Sequence, residues 1–389
     1  MDAAHAIDDA DETIPVPVGT RPFELTLRLR RYGARGRAGA VLLLHGANTS
    51  SETFRQPGGG LVRYLAERGF QVWLLDWRGS PHVVEALPRK WLGGSAIEEI
   101  RHYTVDDVAR EDLPGAVREI RARIGPGERL SILGHCVGAG SLAIAIAEGR
   151  LEPFGVKRVV LSTLGLFYEV PWSGWIKAED FVLERVLHNE PECGGVSPRS
   201  AAGRVPRAWP WPHDLERAEE HWPQAWLPDG GGRGGELLHR LAFMIGQPYA
   251  PERLDPRLRE AEIEPIFGPL HMGLYLHLGQ MVRRGFAAPF DAPDVIDRTR
   301  LDGAGRRPAS AGALQRYLDP RRFRGLETTL LCAAANQVWH RDAVDLMYEW
   351  LRNAGALTVK RVFPGYNIQE LLWGARAERE VYPEILRGL

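Results

Sequence analysis

The stretch that most restricts what this chain can fold into is residues 133–140, "LGHCVGAG", between "RLSI" and "SLAIAIAEG". An apolar run, a turn with glycines around one reactive residue and a small-residue run predict a buried strand, a tight reversal and a helix. A G-x-nucleophile-x-G turn holds its central residue at the tip of a strained strand-to-helix reversal, and its glycines let backbone approach where a Cβ would clash. Gly134, Cys136 and Gly138 meet that pattern, with Cys136 the candidate nucleophile. The helix end behind Cys136 is expected to favour a thiolate through its dipole and unpaired N–H groups. The Val137 N–H is the expected first donor to an oxyanion. A second should come from "LLLHGANTS", where His45–Gly46 ends a strand, through the Ala47 N–H with help from the Asn48 side-chain amide.

Around that turn the chain alternates strands and helices. "FELTLRLRRYG" alternates apolar and polar residues like a half-exposed strand, and "AVLLLHG" (40–46) and "FQVWLLDW" (70–77) read as strands buried on both faces. In "TVDDVAREDLPGAVREIRARIG", Thr104 and Asp107 open a helix as a capping-box-like pair, and Pro114–Gly115 should kink it. With "VKRVVLSTLGL" (156–166) this predicts an α/β class, a mostly parallel doubly wound sheet. The rhythm breaks over 167–325, which holds six of the twelve tryptophans and the helix-like "PLHMGLYLHLGQMVRRG". A Trp-rich insertion of this kind reads as a cap, since such rings must be buried or contact a ligand. Strand and helix patterns resume at 326. The expected division is a core over 1–166 with an acidic leader over 1–20, a cap over 167–325, and the rest of the core over 326–389.

With 49 basic against 50 acidic residues, nothing pulls the chain toward nucleic acid or anionic membrane. The acidic N-terminus has no apolar signal-peptide region, and no apolar run approaches a membrane span, so a cytoplasmic protein is expected. Cys136, Cys193 and Cys332 lack zinc spacing, no G-x-G-x-x-G follows the first strand, and no metal or cofactor is expected. High Ala, Arg, Gly and Pro content points to a bacterial source.

The α/β-hydrolase superfamily is what the chain resembles, from about residue 24 to its end. "VWLLDWRGS" with "LGHCVGAGSLA" resembles polyhydroxyalkanoate synthases, acyltransferases with a cysteine nucleophile. "YTVDDVAREDLPGAV", "IFGPLHMGLYLHLGQMVRRG" and "FPGY…WGARAEREVYPEIL" resemble hydrolase-like domains associated with cholesterol-oxidase-type flavoproteins. The resemblance implies a triad in the order nucleophile, acid, histidine, and this sequence departs at both later positions. Asn336, in "AAANQVW", stands where the acid is expected; "PGYNIQELLWG" has Asn367 and Ile368 where such relatives read the last two residues of a G-Y-G-H pattern, and no histidine follows His340.

Three answers to the missing base stay open. His340 could swing toward Cys136 as a displaced base, oriented by Asn336. A thiol could attack an activated thioester without a strong base, favouring acyl transfer over hydrolysis. Or the fold serves a non-hydrolytic step such as cyclisation or elimination, or ligand binding alone. The reading carried forward is cysteine-dependent acyl transfer or (thio)ester cleavage on a bulky, largely apolar substrate, polyketide- or lipid-like and free or carrier-bound. His45, Asn367, Trp172 and Trp175 are expected to line its pocket, and the protein is a candidate homodimer.

Overall fold

The computed structural model describes residues 10–19, 25–84, 103–180, 241–242, 245–258, 263, 266–268, 272–292 and 316–389. Eight strands run through them: β1 Glu12–Val18, β2 Leu25–Tyr32, β3 Gly39–Leu44, β4 Phe70–Asp76, β5 Leu130–His135, β6 Arg158–Ser162, β7 Glu327–Ala333 and β8 Thr358–Phe363. They form one sheet in the order β1-β2-β4-β3-β5-β6-β7-β8. The six from β4 to β8 are parallel, and β2 and β1 add an antiparallel edge. This is the α/β-hydrolase arrangement that the sequence resemblance implies.

Alternation along the central strands feeds two cores, one on each face of the sheet. In β3, Ala40, Leu42 and Leu44 enter one cluster and Val41 and Leu43 the other, which is why the run reads as uniformly apolar. Helices α1 (Gly60–Ala66), α2 (Leu113–Ile124), α3 (Val137–Ala147), α4 (Trp172–Asp180), α5 (Met272–Arg284), α6 (Asp342–Asn353) and α7 (Tyr382–Gly388) complete the elements used below. Through Leu142, Ile144 and Ile146 α3 joins the first cluster, and through Tyr382 and Ile385 α7 joins the second.

Two local expectations change. Seven residues of the expected leader form strand β1, with Ile14, Val16 and Val18 buried and Pro15 and Pro17 turned outward. Proline donates no ladder hydrogen bond and is tolerated at a sheet edge, so "ETIPVPV" is an edge strand. Near Pro114 the irregularity is a π-helical turn over Val108–Asp112, and Pro114 lies in the first turn of α2, where a missing N–H costs little. The expected box at its start is present, with the Thr104 N–H donating to Asp107 at 2.7 Å.

Within the expected cap, α4 and α5 pack on each other. Trp209, Trp211, Trp222, Trp226, Cys193 and His271 lie outside the described residues. Among the described residues, no helix is long and apolar enough to cross a membrane. Because β3 and β5–β8 are parallel, the loops carrying Ala47, Cys136, Asn336 and Asn367 all leave the same sheet edge, where open α/β sheets bind ligands.

Candidate active site

Cys136 sits between β5 and α3 with φ +56° and ψ −129°, a conformation that L-residues avoid. The other two non-glycine residues with positive φ among those described are Asn48 (+44°) and Thr163 (+71°), which follow β3 and β6. Those strands flank β5, so the strain is gathered at three adjacent strand ends. Such residues cost about 1–3 kcal/mol each and persist only where the surroundings over-determine them. The surroundings here are backbone. A Cβ on Gly138 would lie 2.4 Å from the His45 carbonyl oxygen, and one on Gly134 would lie 2.6 Å from Ala139 Cα. Gly46 clears the nucleophile itself, since a Cβ there would lie 2.9 Å from Cys136 Cβ and 3.3 Å from Sγ.

The half-buried sulfur faces three donors. The backbone N–H groups of Val137 and Ala47 point at it, and the Trp339 indole Nε1–H donates to it at 3.3 Å. Burial pushes the thiol pKa up, and the pull of Trp339, Val137 and Ala47 offsets this only in part. The expected thiolate-favouring shift is therefore overturned. Desolvation outweighs the helix end, and the resting group at neutral pH is the thiol.

Neither position of the missing pair approaches the sulfur with a base. His340 has its backbone N–H on the Glu169 carbonyl at 2.8 Å, and its ring, 43 % exposed, faces Asp342 at 3.3 Å. Its neighbour Trp339 reaches Sγ instead, which corrects the expectation of a displaced base. The Asn336 Oδ1 accepts the N–H groups of Val338 (2.9 Å) and Trp339 (3.1 Å), so it builds the turn that presents Trp339 and orients no histidine. Asn367 braces loops: Oδ1 accepts from Gln337 N–H at 3.2 Å and Ile368 N–H at 2.7 Å, and Nδ2 donates to the Gln247 carbonyl at 2.8 Å. It is buried in those bonds and is not free to contact substrate. Among the described residues no hydrogen bond joins Cys136 to a histidine or a carboxylate.

The remaining expected residues divide. His45 is fully buried beneath the loop of Ala47, stacked on Trp77 at 4.8 Å, with Nδ1 2.8 Å from the Gly46 oxygen. Burial lowers its pKa to about 4, against the pull of Asp76, so it is a neutral support of the loop and not a pocket wall. The Asn48 carbonyl accepts from Gly268 N–H at 2.8 Å, while its buried Oδ1 has no hydrogen-bond partner. Trp172 is 71 % exposed, which removes it from a pocket lining, and Trp175 is half-buried on the same helix. His135, beside the nucleophile, is held on Ser162 Oγ at 3.0 Å, and burial lowers its pKa to about 3.

Trp339 was not legible as a site residue. The one local signal is Asn336, whose spacing to Val338 and Trp339 suits a side chain bonding backbone two and three residues on. That spacing defines a turn and says nothing of where the indole points. Tyr168, fully buried and edge-on to Trp339 with centroids 5.5 Å apart, is a second such residue.

Comparison with known proteins agrees with this architecture. A family model described as the alpha/beta hydrolase fold matches residues 39–189. The poly(3-hydroxyalkanoate) polymerase subunit PhaC of Haloferax mediterranei is 27 % identical over 179 residues, covering 43 % of this chain and 32 % of that protein. The match thus spans about a third of that curated relative. A lipase in its open form superposes with a TM-score of 0.53 at 11 % identity, covering 97 % of this chain and 99 % of that one. An esterase from Thermogutta terrifontis gives 0.50 at 14 % identity, covering 97 % of each. These two likenesses speak for the fold alone. The chain has the α/β-hydrolase fold, with a PhaC-like resemblance in sequence.

Proposed function

We propose that this α/β-hydrolase-fold chain is a Cys136-dependent acyltransferase that takes a bulky, largely apolar acyl group from a thioester or activated ester. One observation carries the reading: the sulfur of a strained cysteine lies between the Val137 and Ala47 N–H groups and, among the described residues, has no base hydrogen-bonded to it. Attack forms an Sγ–C bond and moves the carbonyl electrons onto oxygen, where both N–H groups can follow them. Collapse breaks the C–S bond of the donor, and the Cys136 proton leaves on the departing thiol. An acceptor hydroxyl or amine then bonds to the acyl carbon, the Sγ–C bond breaks with its electron pair left on sulfur, and the acceptor's proton goes to Sγ. General-base help is worth roughly 10²–10⁴-fold, and water, a weak nucleophile, loses most by its absence. The name of the PhaC relative, a polymerase of hydroxyalkanoates, fits transfer over hydrolysis.

A second reading, a non-hydrolytic step such as cyclisation or elimination in the same pocket, is favoured by the protonated thiol. Intact-protein mass spectrometry separates the two. After incubation with a panel of acyl thioesters, acyl transfer predicts a mass increment on Cys136 that Cys136→Ala lacks. An unmodified Cys136 with every thioester overturns it, and a Cys136→Ser variant that keeps full turnover of a substrate points to the second reading.

A further inference from the structure

We propose that Trp339 is a catalytic residue of this acyl transfer: its indole N–H holds the negative charge that Sγ carries while its bond to the acyl carbon forms and breaks. The inference rests on the acyl-transfer reading above. Indole Nε1–H is a donor and never an acceptor, so Trp339 can stabilise a thiolate but cannot take its proton. Hydrogen bonds to an ionised partner are roughly twice as strong as those to a neutral one, so the contact at 3.3 Å favours thiolate over thiol.

Among the donors on the sulfur, Trp339 has a distinct task. The Val137 and Ala47 N–H groups face Sγ at rest, yet they are the pair placed to receive the oxyanion. As the carbonyl oxygen gains charge they are drawn to it, and the indole is the donor left on sulfur. Its aim is fixed from two sides. Asn336 Oδ1 holds the Trp339 backbone N–H at 3.1 Å, and Tyr168 packs edge-on against the ring. At 5 % exposure the indole has little freedom to leave. Asn336, at the place of the usual acid, is accordingly a positioning residue for a donor in place of one for a base.

The kinetic consequence is modest and has a signature. Each tenfold gain in thiolate is met by roughly a threefold loss of intrinsic nucleophilicity, so a stabilised thiolate reacts about threefold faster below its titration and no faster above it. The test is the pH profile of Cys136 alkylation by iodoacetamide in wild type and Trp339→Phe. Thiolate ultraviolet absorbance is titrated in parallel, with the matching Cys136→Ala protein subtracted to remove Tyr168 and the other phenols. The expected result is alkylation about three- to tenfold slower at pH 7 in Trp339→Phe, a thiolate that forms at higher pH, and rates that meet or cross on the alkaline plateau. Asn336→Ala, which keeps the indole and frees its turn, should move the profile the same way, and it replaces Trp339→Phe should that variant fail to fold. Identical profiles, a uniform loss at every pH, or a cysteine that titrates in neither protein overturns the proposal. Thioester acylation is scored separately. A shifted profile without acylation removes the acyl-transfer reading and leaves the indole's hold on the thiolate, whereas acylation with an unshifted profile removes Trp339 alone.

Discussion

The reversal after β5 and the two loops after β7 and β8 lie on the same sheet edge but are built on opposite terms. At the reversal, backbone meets backbone: Gly134 and Gly138 each sit where a Cβ would strike main chain, Gly46 clears the Cys136 side chain, and Cys136 is held at φ +56°. In the two loops, side-chain amides do the holding. Asn336 ties down Val338 and Trp339, and Asn367 ties the β8 loop to Gln337 and Gln247. Where an acid and a histidine are expected by resemblance, neutral groups brace the backbone. The reversal thus keeps its strained cysteine and two converging N–H groups, while the two loops are held as scaffold. A carboxylate or imidazole there would titrate; a buried amide cannot, and it satisfies loop N–H groups at any pH.

Acid should separate the two regions most. His45 and His135 lie at the ends of β3 and β5, and burial holds their pKa values at about 4 and about 3, below the ordinary 6.5. A depressed folded-state pKa means that the contribution to stability is intact above pH 6.5 and is lost as pH falls toward 4 and then 3. Urea unfolding midpoints measured from pH 7 to 4 should show a loss on the order of 5 kcal/mol. A flat profile would mean that the buried rings are not neutral supports.

Gly138→Ala comes next. Its Cβ would lie 2.4 Å from the His45 carbonyl oxygen, with backbone on both sides, so a loss of at least about 3 kcal/mol in urea unfolding is expected, or no folded protein. Asn367→Ala should cost about 1–3 kcal/mol by stranding loop N–H and C=O groups, while the rate of Cys136 alkylation changes less than twofold. Ile368→His belongs with it: if that variant gains thioester hydrolysis, the β8 loop is a disabled catalytic loop and not a brace. The smallest effect is expected at Trp172, 71 % exposed, where Trp172→Ala should change stability by less than about 0.5 kcal/mol and leave acylation unchanged. A large loss of acylation there would restore it to the substrate pocket.

Strands β2 to β8 and helix α3 were legible in the sequence because each is a local pattern of burial, and a mostly parallel sheet followed from their alternation and from the resemblance. Strand β1 was not, since its two prolines read as irregular chain until a sheet edge is there to receive them. That Cys136, Val137 and Ala47 meet at one reversal was legible, whereas the complete burial of His45 and the exposure of Trp172 were not.

What the sequence alone determined is the reversal around Cys136. The spacing of Gly134, Cys136 and Gly138 acts within one strand–turn–helix, and the clash that a Cβ on Gly134 would make is with backbone four and five residues on. Only the tertiary structure decided the state of the thiol and the identity of its partner. Burial, which raises the thiol pKa, is a sum over every element packed around the sulfur. The indole that reaches Sγ comes from 203 residues along the chain, aimed by an asparagine whose sequence position promised an acid. Residue spacing carries no record of such a contact, because its direction is fixed by the parallel sheet that brings the two loops to one edge.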